Sequence, residues 1–457
     1  MSDRADPSGG ALVRWLPAPL RKRMERRPAL ASILDNIGWL AVDRVLRMGV
    51  GLLVGVWLAR YLGPAQYGQF NYALACLVLA APLAGLGLNS IVVRDLVREP
   101  AAGRSILGTA FVLQFAAGAV AALLVAASVA ALRPGDDPTI AMVGVLSLTL
   151  VFRSTDVVKY WFDSRVESRY AVWVESAAFL AMAAVKVAMI LSHAGLMAFV
   201  WVTLAEAAAC AAGLLAIYAA RGGRPLQWQP GVERARRLMQ HSWPLMLSGL
   251  SVAVYMGIDQ VMLGQMLGPR EVGIYGAATR LSEVWYFIPM VVVASFFPAI
   301  TKAKETGESA YLGQLQTLYD MLTMMSLVIA VAITVAAPLL VSVLFGPEFA
   351  AAAGVLQIHV WTGVFAALGV ASSCWYVNEN LQQLAFQRTL WGALFNVVGN
   401  FYLIPAYGAA GAAVATLLSQ AIAAYLFDAV GARTRMCFRM KTRSFLAPLR
   451  FAFRSKP

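Results

Sequence analysis

The chain has 457 residues, 60% of them hydrophobic and 13% charged, with a net charge of +13 and a mean hydropathy of +0.67. Soluble proteins are nearer half apolar and about a quarter charged, so this composition excludes an ordinary soluble enzyme or binding domain. Runs of about 20 apolar residues, each long enough to cross a bilayer, recur along the whole chain and predict an all-α polytopic membrane protein.

The first 30 residues are polar and basic and lack the apolar core of a secretory signal. The stretch APLRKRMERRPAL at 18–30 suits either a membrane surface or a solvated positive tail. About twelve spans follow, at 36–60, 66–90, 105–132, 139–160, 171–192, 195–220, 242–266, 271–299, 315–344, 350–375, 382–404 and 409–430. This order predicts a basic N-terminal segment (1–30), an N-lobe of six helices (31–221), a linker (222–241), a C-lobe of six helices (242–432) and a basic C-terminal tail (433–457).

The loops alternate in charge. RDLVREPAAGR, KYWFDSRVESR, RGGRPLQWQPGVERARR and TKAKE fall on one side together with both termini, and they carry most of the 37 Lys and Arg. The other side holds only Arg60, Arg133 and Arg270. The excess of positive charge in cytoplasmic loops then places both termini in the cytoplasm. The positive charge is mainly topological and faces anionic membrane lipids; nucleic acid is not an expected partner.

LGPAQYGQFNYA at 62–73 recurs as LGPREVGIYGAA at 267–278, and WFDSRVESRYA at 161–171 aligns without gaps to WYVNENLQQLA at 375–385. An even number of spans separates the copies, which predicts two parallel six-helix bundles. Transporters built this way bind substrate near the midplane and work by alternating access.

Charge inside a span is costly and usually faces the protein interior. Arg47, Arg94, Arg153, Lys186 and Arg280 are candidates for a cationic cavity, because guanidinium groups suit phosphate. Internal ion pairing or snorkelling to the interface is the plain alternative for each. Asp43 and Arg47, and likewise Arg280 and Glu283, are spaced to share a helix face. Asp43, Glu206, Asp259 and Asp320 are candidates for a coupling proton or sodium ion. Trp161 and Trp375, at the ends of the fourth and tenth spans, suit interface anchoring better than sugar stacking.

The four cysteines and three histidines do not cluster, so no metal site and no cofactor is expected. Nucleotide-binding, serine-hydrolase and zinc-protease motifs are missing from the sequence, which points away from an enzyme.

ARYLGPAQYGQFNYALA, LAGLGLNSIVVRDLVRE, WFDSRVESRY, GIDQVMLGQMLGPREVGIYGAATRLSE, LFGPEFAAAAGVLQI and NVVGNFYLIPAYGAAGAAVATLLS, taken in order, resemble the bacterial oligosaccharide and polysaccharide flippases. These include the O-antigen flippases, within the multidrug/oligosaccharidyl-lipid/polysaccharide exporter superfamily. The resemblance implies a V-shaped, two-lobed helical fold in the bacterial inner membrane. It also implies a cationic cavity and transfer of an undecaprenyl-pyrophosphate-linked oligosaccharide between leaflets, for O-antigen, capsule or exopolysaccharide. A polysaccharide polymerase or chain-length complex is the protein partner it suggests. A multidrug or small-cation extruder of the same fold, and a non-transporting scaffold of a polysaccharide assembly complex, are the alternatives.

Overall fold

The computed structural model describes residues 28–447, with side chains from Val45 onward. Among the described residues every regular element is helical: α1 (Pro28–Gly85), α2 (Asn89–Arg98), α3 (Gly103–Leu132), α4 (Asp137–Ser147), α5 (Val157–Ser164), α6 (Arg169–Leu191), α7 (Leu196–Ala220), α8 (Val232–Met266), α9 (Pro269–Glu283), α10 (Phe287–Thr306), α11 (Glu308–Leu344), α12 (Ala352–His359), α13 (Thr362–Asn378), α14 (Gln382–Ala421) and α15 (Arg435–Ser444).

Ten helical stretches are long and apolar enough to cross a membrane, and two of them, Val45–Arg98 and Gln382–Val430, run to 54 and 49 residues. At 1.5 Å per residue each would measure more than about 70 Å if straight, over twice the ~30 Å hydrocarbon core. Both are broken by a glycine outside helical geometry, Gly63 at φ 70° and Gly408 at φ 59°. Divided at those two breaks, the ten stretches give the expected twelve spans. The chain is an all-α, multi-pass membrane protein.

The repeated Leu-Gly-Pro turns take the same form. Gly63 and Gly268 (φ 91°) adopt left-handed backbone, which glycine alone enters without strain, and Pro64 and Pro269 then start the following helices.

By internal contacts the chain forms two compact units. The first takes residues up to Gly55 together with Ala80–Leu250; the second takes Val56–Leu79 and the chain from Ser251 onward. The division passes through the first, second and seventh spans.

In the first unit the core gathers Leu88, Val92, Ile106, Leu107, Val157, Phe162 and Leu214 around Trp161. Trp161 is buried edge-on against Tyr218 at 4.9 Å, with the Arg165 guanidinium 3.9 Å over its ring. In the second unit Trp375 is equally buried and stacks on Tyr311 at 5.8 Å, within a core of Leu315, Leu318, Tyr319, Leu322 and Leu368. The expectation of interface anchors is corrected: each tryptophan ends its span pointing inward, where the large ring contributes more by packing than at an interface. At the start of α4, outside the spans, Asp136 caps the helix by accepting the Thr139 amide. Burial raises its carboxyl pKa, but hydrogen bonds from Thr139 and Arg133 outweigh burial and hold it below the ordinary value.

Within the second unit the two Leu-Gly-Pro copies meet each other. A Cβ on Gly68 would fall 1.7 Å from the Pro269 carbonyl oxygen, and one on Gly273 would fall 2.0 Å from the Pro64 carbonyl oxygen. Each copy supplies a Pro-to-Gly turn of helix whose missing side chain lets the other backbone in. The repeat is thus reciprocal packing between α9 and the part of α1 beyond Gly63.

Candidate functional site

Two clusters of charged and polar side chains stand out among the spans, one in each unit. In the first unit α1 supplies Arg47, α5 supplies Lys159 and α6 supplies Glu175. Glu175 sits between two cations, with Oε2 3.3 Å from Arg47 Nη2 and Oε1 2.9 Å from Lys159 Nζ. Lys159 also pairs with Asp156 at 2.8 Å. Phe179, one turn beyond Glu175 on the same face of α6, lies under the Arg47 guanidinium at 5.8 Å. Two cations and two anions make this ladder neutral, which lowers the cost of holding charge among apolar helices.

Between α4 and α5 the span narrows to a 3₁₀ turn at Arg153–Asp156. Thr149 and Thr155 donate back to the carbonyls of Leu146 and Phe152 at 2.7 and 2.8 Å, a pattern that bends helices. The turn leaves the Arg153 side chain exposed, with no acidic partner among the described residues. Of the other expected cationic residues in this unit, Arg94 bonds its neighbour Asp95 at 2.8 Å. Lys186 on α6 pairs with Glu206 on α7 at 2.8 Å, so a candidate for anion binding and a candidate for ion coupling neutralise each other. The side chain of Asp43 lies outside the described residues.

In the second unit Asp259 on α8 is fully enclosed. Its Oδ2 accepts from Tyr275 Oη and Thr416 Oγ1, both at 2.7 Å, and its Oδ1 accepts from Asn400 Nδ2. Asn396 extends this cage through Asn400, Thr416 and Ser419. The donors come from α9 and from both halves of α14, on either side of Gly408. Three donors on one carboxylate offset part of the cost of enclosing it, which would be high without them.

Beside the cage lies a small cavity of about 20 Å3, lined among others by Asp259, Tyr275, Glu283, His359, Thr416 and Gln420. One water needs about 10–15 Å3 of such space. Glu283 closes α9 and has no hydrogen-bond or ion-pair partner among the described residues. It does not pair with Arg280, as its helical spacing suggests; Arg280 instead bonds the Tyr67 phenol at 3.2 Å. His359 is buried against Ser282 at 2.5 Å and edge-on to Tyr275. Asp320 stands apart on α11, accepting from Gln316 at 2.6 Å, and Gln316 also donates to the Met440 carbonyl of α15.

Sequence reasoning brought forward Arg47, Arg153, Arg280 and Asp259 but missed Glu175, Asn396, Asn400, Tyr275 and Thr416. Glu175 carried a readable signal, as an acid inside a predicted span. The uncharged cage residues carried none, since polar residues are common in spans and their convergence depends on the fold.

Comparison with known proteins agrees with this architecture. The model of the family described as polysaccharide biosynthesis protein matches residues 33–304. The chain belongs to that family. Two proteins of Haloferax volcanii are similar over part of their length. The probable low-salt glycan biosynthesis flippase Agl15 is 25% identical over 198 residues, covering 42% of this chain and 41% of its own. The probable flippase AglR is 30% identical over 207 residues, 42% of each chain. The chain therefore spans about two fifths of the length of these curated relatives.

Among solved structures, the lipid II flippase MurJ in an inward closed conformation superposes with a TM-score of 0.73 at 10% identity, covering 91% of this chain and 93% of that one. The inward-facing conformation of a multidrug resistance MATE family transporter of the MOP superfamily gives 0.69 at 14%, covering 91% and 99%. At such identities the likeness is one of fold alone, and a fold does not set the cargo.

Proposed function

We propose that this protein is a flippase that moves a lipid-linked oligosaccharide across the cytoplasmic membrane by alternating access. In this reading the polysaccharide biosynthesis family supplies the process, and the helical fold supplies a framework of two six-span lobes, 31–221 and 242–432. The cargo is an oligosaccharide on an undecaprenyl pyrophosphate carrier, destined for a surface polysaccharide, and both termini face the cytoplasm.

The observation that carries the reading is Arg153. An arginine in a broken helix within a membrane span, exposed and without an acidic partner among the described residues, calls for an anion from outside the protein. A pyrophosphate offers paired oxygens that match its planar fork. Asp259 is the coupling residue in this account: its cage holds a carboxylate ready for a proton or sodium ion in the adjoining cavity.

The test is complementation of a strain lacking the protein with Arg153→Ala and Arg153→Lys, scored by surface glycan at matched membrane abundance. The account expects loss of export with alanine and partial export with lysine. Wild-type export with alanine would remove Arg153 from the cargo site.

A further inference from the structure

At the end of the span that carries Arg153, the first unit holds a group of arginines that the Glu175 ladder does not use. Trp161 and Phe162 lie in α5, Tyr170 opens α6 and Tyr218 lies in the last turn of α7, and all four rings are buried. They touch in series. Trp161 meets Phe162 and Tyr218 at 4.9 Å each, and Phe162 meets Tyr170 at 5.5 Å. Three arginines lie on this platform: Arg165 3.9 Å over Trp161, Arg221 3.7 Å over Tyr170, and Arg169 4.9 Å from the same Tyr170 ring.

The chain turns so as to bring Arg221 there. Gly222 follows α7 in left-handed backbone (φ 83°), and the Gly223 amide donates to the Tyr218 carbonyl at 2.9 Å. A Cβ on Gly223 would fall 2.5 Å from the Tyr218 ring, so a side chain there would push the turn off the platform. Arg169 spends one donor on the Tyr170 hydroxyl, Nη2 to Oη at 3.0 Å, and its Nε is buried with no acceptor among the described residues. Arg165 and Arg221 are exposed, and none of the three forms an ion pair among the described residues. Of the nearby acids, Asp163 accepts from Ser168 Oγ at 2.6 Å, and Glu167 pairs with none of the arginines.

Two guanidinium groups on one ring are like charges at short range, and the aromatic faces hold them without cancelling their charge. A multivalent anion placed between them converts that repulsion into binding. The forks, already ordered by stacking, lose little freedom on engaging it. A phosphodiester lipid brings a single charge to such a site, whereas a pyrophosphate brings two adjoining phosphates. The site also lies on the way to Arg153: the 3₁₀ turn Arg153–Asp156 runs into α5, which ends at Arg165. At 1.5 Å per residue the two arginines are roughly 18 Å apart along the span.

We propose that Arg165, Arg169 and Arg221 form a loading site for the pyrophosphate of the carrier lipid, from which that group passes along the span to Arg153. The proposal rests on the flippase reading, and in the orientation proposed there the site opens on the cytoplasmic side.

Farnesyl pyrophosphate, a short isoprenyl pyrophosphate, titrated into the full-length protein in detergent micelles and read by calorimetry, tests the proposal. The background is Arg153→Ala, so that Arg153 itself does not contribute. Farnesyl pyrophosphate should bind more tightly than farnesyl monophosphate or phosphatidylglycerol. Adding Arg221→Gln, at an exposed position beyond the end of α7, should weaken that binding about tenfold, the effect of losing one charge-assisted contact. Should Arg221→Gln prove unstable, Arg221→Lys, which keeps the charge and loses the fork, carries the test with a smaller expected loss. Equal affinity for farnesyl pyrophosphate and phosphatidylglycerol would overturn the proposal in favour of a general acidic-lipid surface. Unchanged affinity on adding Arg221→Gln, with export still lost in Arg153→Ala, would overturn the loading site and leave the flippase reading standing. Pyrophosphate binding that depends on Arg221, in a protein whose depletion leaves lipid-linked sugars and surface glycan unchanged, would uphold the site and strike that reading.

Discussion

Gly68 and Gly49 lie in the same long helix and answer opposite questions, so one substitution at each tests the repeat crossing. Gly68→Ala would put a Cβ 1.7 Å from the Pro269 carbonyl oxygen and 2.8 Å from the Gly273 nitrogen. Carbon and oxygen in contact sit about 3.3 Å apart. Both obstructing atoms are backbone, so no rotamer change relieves them and the helices must separate by roughly 1.5 Å, forfeiting contacts along the seam. Overpacking of this kind costs about 1–3 kcal/mol, sometimes more, while replacing helical glycine with alanine returns about 0.5–1 kcal/mol. The net is a loss of roughly 1–2 kcal/mol. A Cβ on Gly49 would meet nothing within 4 Å, so Gly49→Ala receives the favourable contribution alone, about 0.5–1 kcal/mol. Thermal unfolding of purified protein in one detergent should rank Gly49→Ala above wild type and Gly68→Ala below it. Gly273→Ala should behave like Gly68→Ala. If Gly68→Ala is as stable as Gly49→Ala, the close crossing does not exist in the folded protein.

Lys441 of α15 and Asp428 form a fully buried ion pair at 2.6 Å, which makes a second prediction. Lys441→Met strips the enclosed Asp428 of its paired cation, costing about 3–5 kcal/mol, whereas Lys441→Met/Asp428→Leu recovers most of that loss. Strictly additive unfolding free energies in this double-mutant cycle would show that the two residues do not interact. At the cage, Asp259→Asn keeps size but loses an acceptor, stranding a donor among Tyr275, Thr416 and Asn400 at a cost of about 1–3 kcal/mol. It should also abolish dependence of transport on the coupling ion. Transport that keeps its ion dependence in Asp259→Asn, measured in proteoliposomes under imposed proton and sodium gradients, would remove Asp259 from coupling.

The sequence carried the helical class, the span count and the duplicated turn, because each is written in local chemistry. Apolar run length sets the spans, and Gly-Pro sets the break at Gly63 and at Gly268. It could not show that the two copies touch, because the closeness of Gly68 to Pro269 arises from residues some 200 positions apart. Trp161 and Trp375 misled for a related reason. An aromatic at a span end reads as an interface residue until the fold reveals which way it points. The charges divided along the same line. Asp156 and Lys159 share a helix face and do pair, as local spacing suggests. Glu175 joins that pair from α6, and Lys186 finds Glu206 across a helix hairpin. The basic tail read after residue 433 contains α15, whose docking depends on one lysine among many basic residues. Nothing in the sequence marks Lys441 as the buried one.

The central claim is that the protein carries a lipid-linked oligosaccharide between leaflets. Its most direct test is mass spectrometry of polyprenyl-linked sugars in cells depleted of the protein, with leaflet accessibility assayed on the same membranes. The account predicts accumulation of a complete oligosaccharide unit confined to the cytoplasmic leaflet, reversed by the wild-type protein and not by Arg153→Ala. Unchanged lipid intermediates together with normal surface glycan would contradict it.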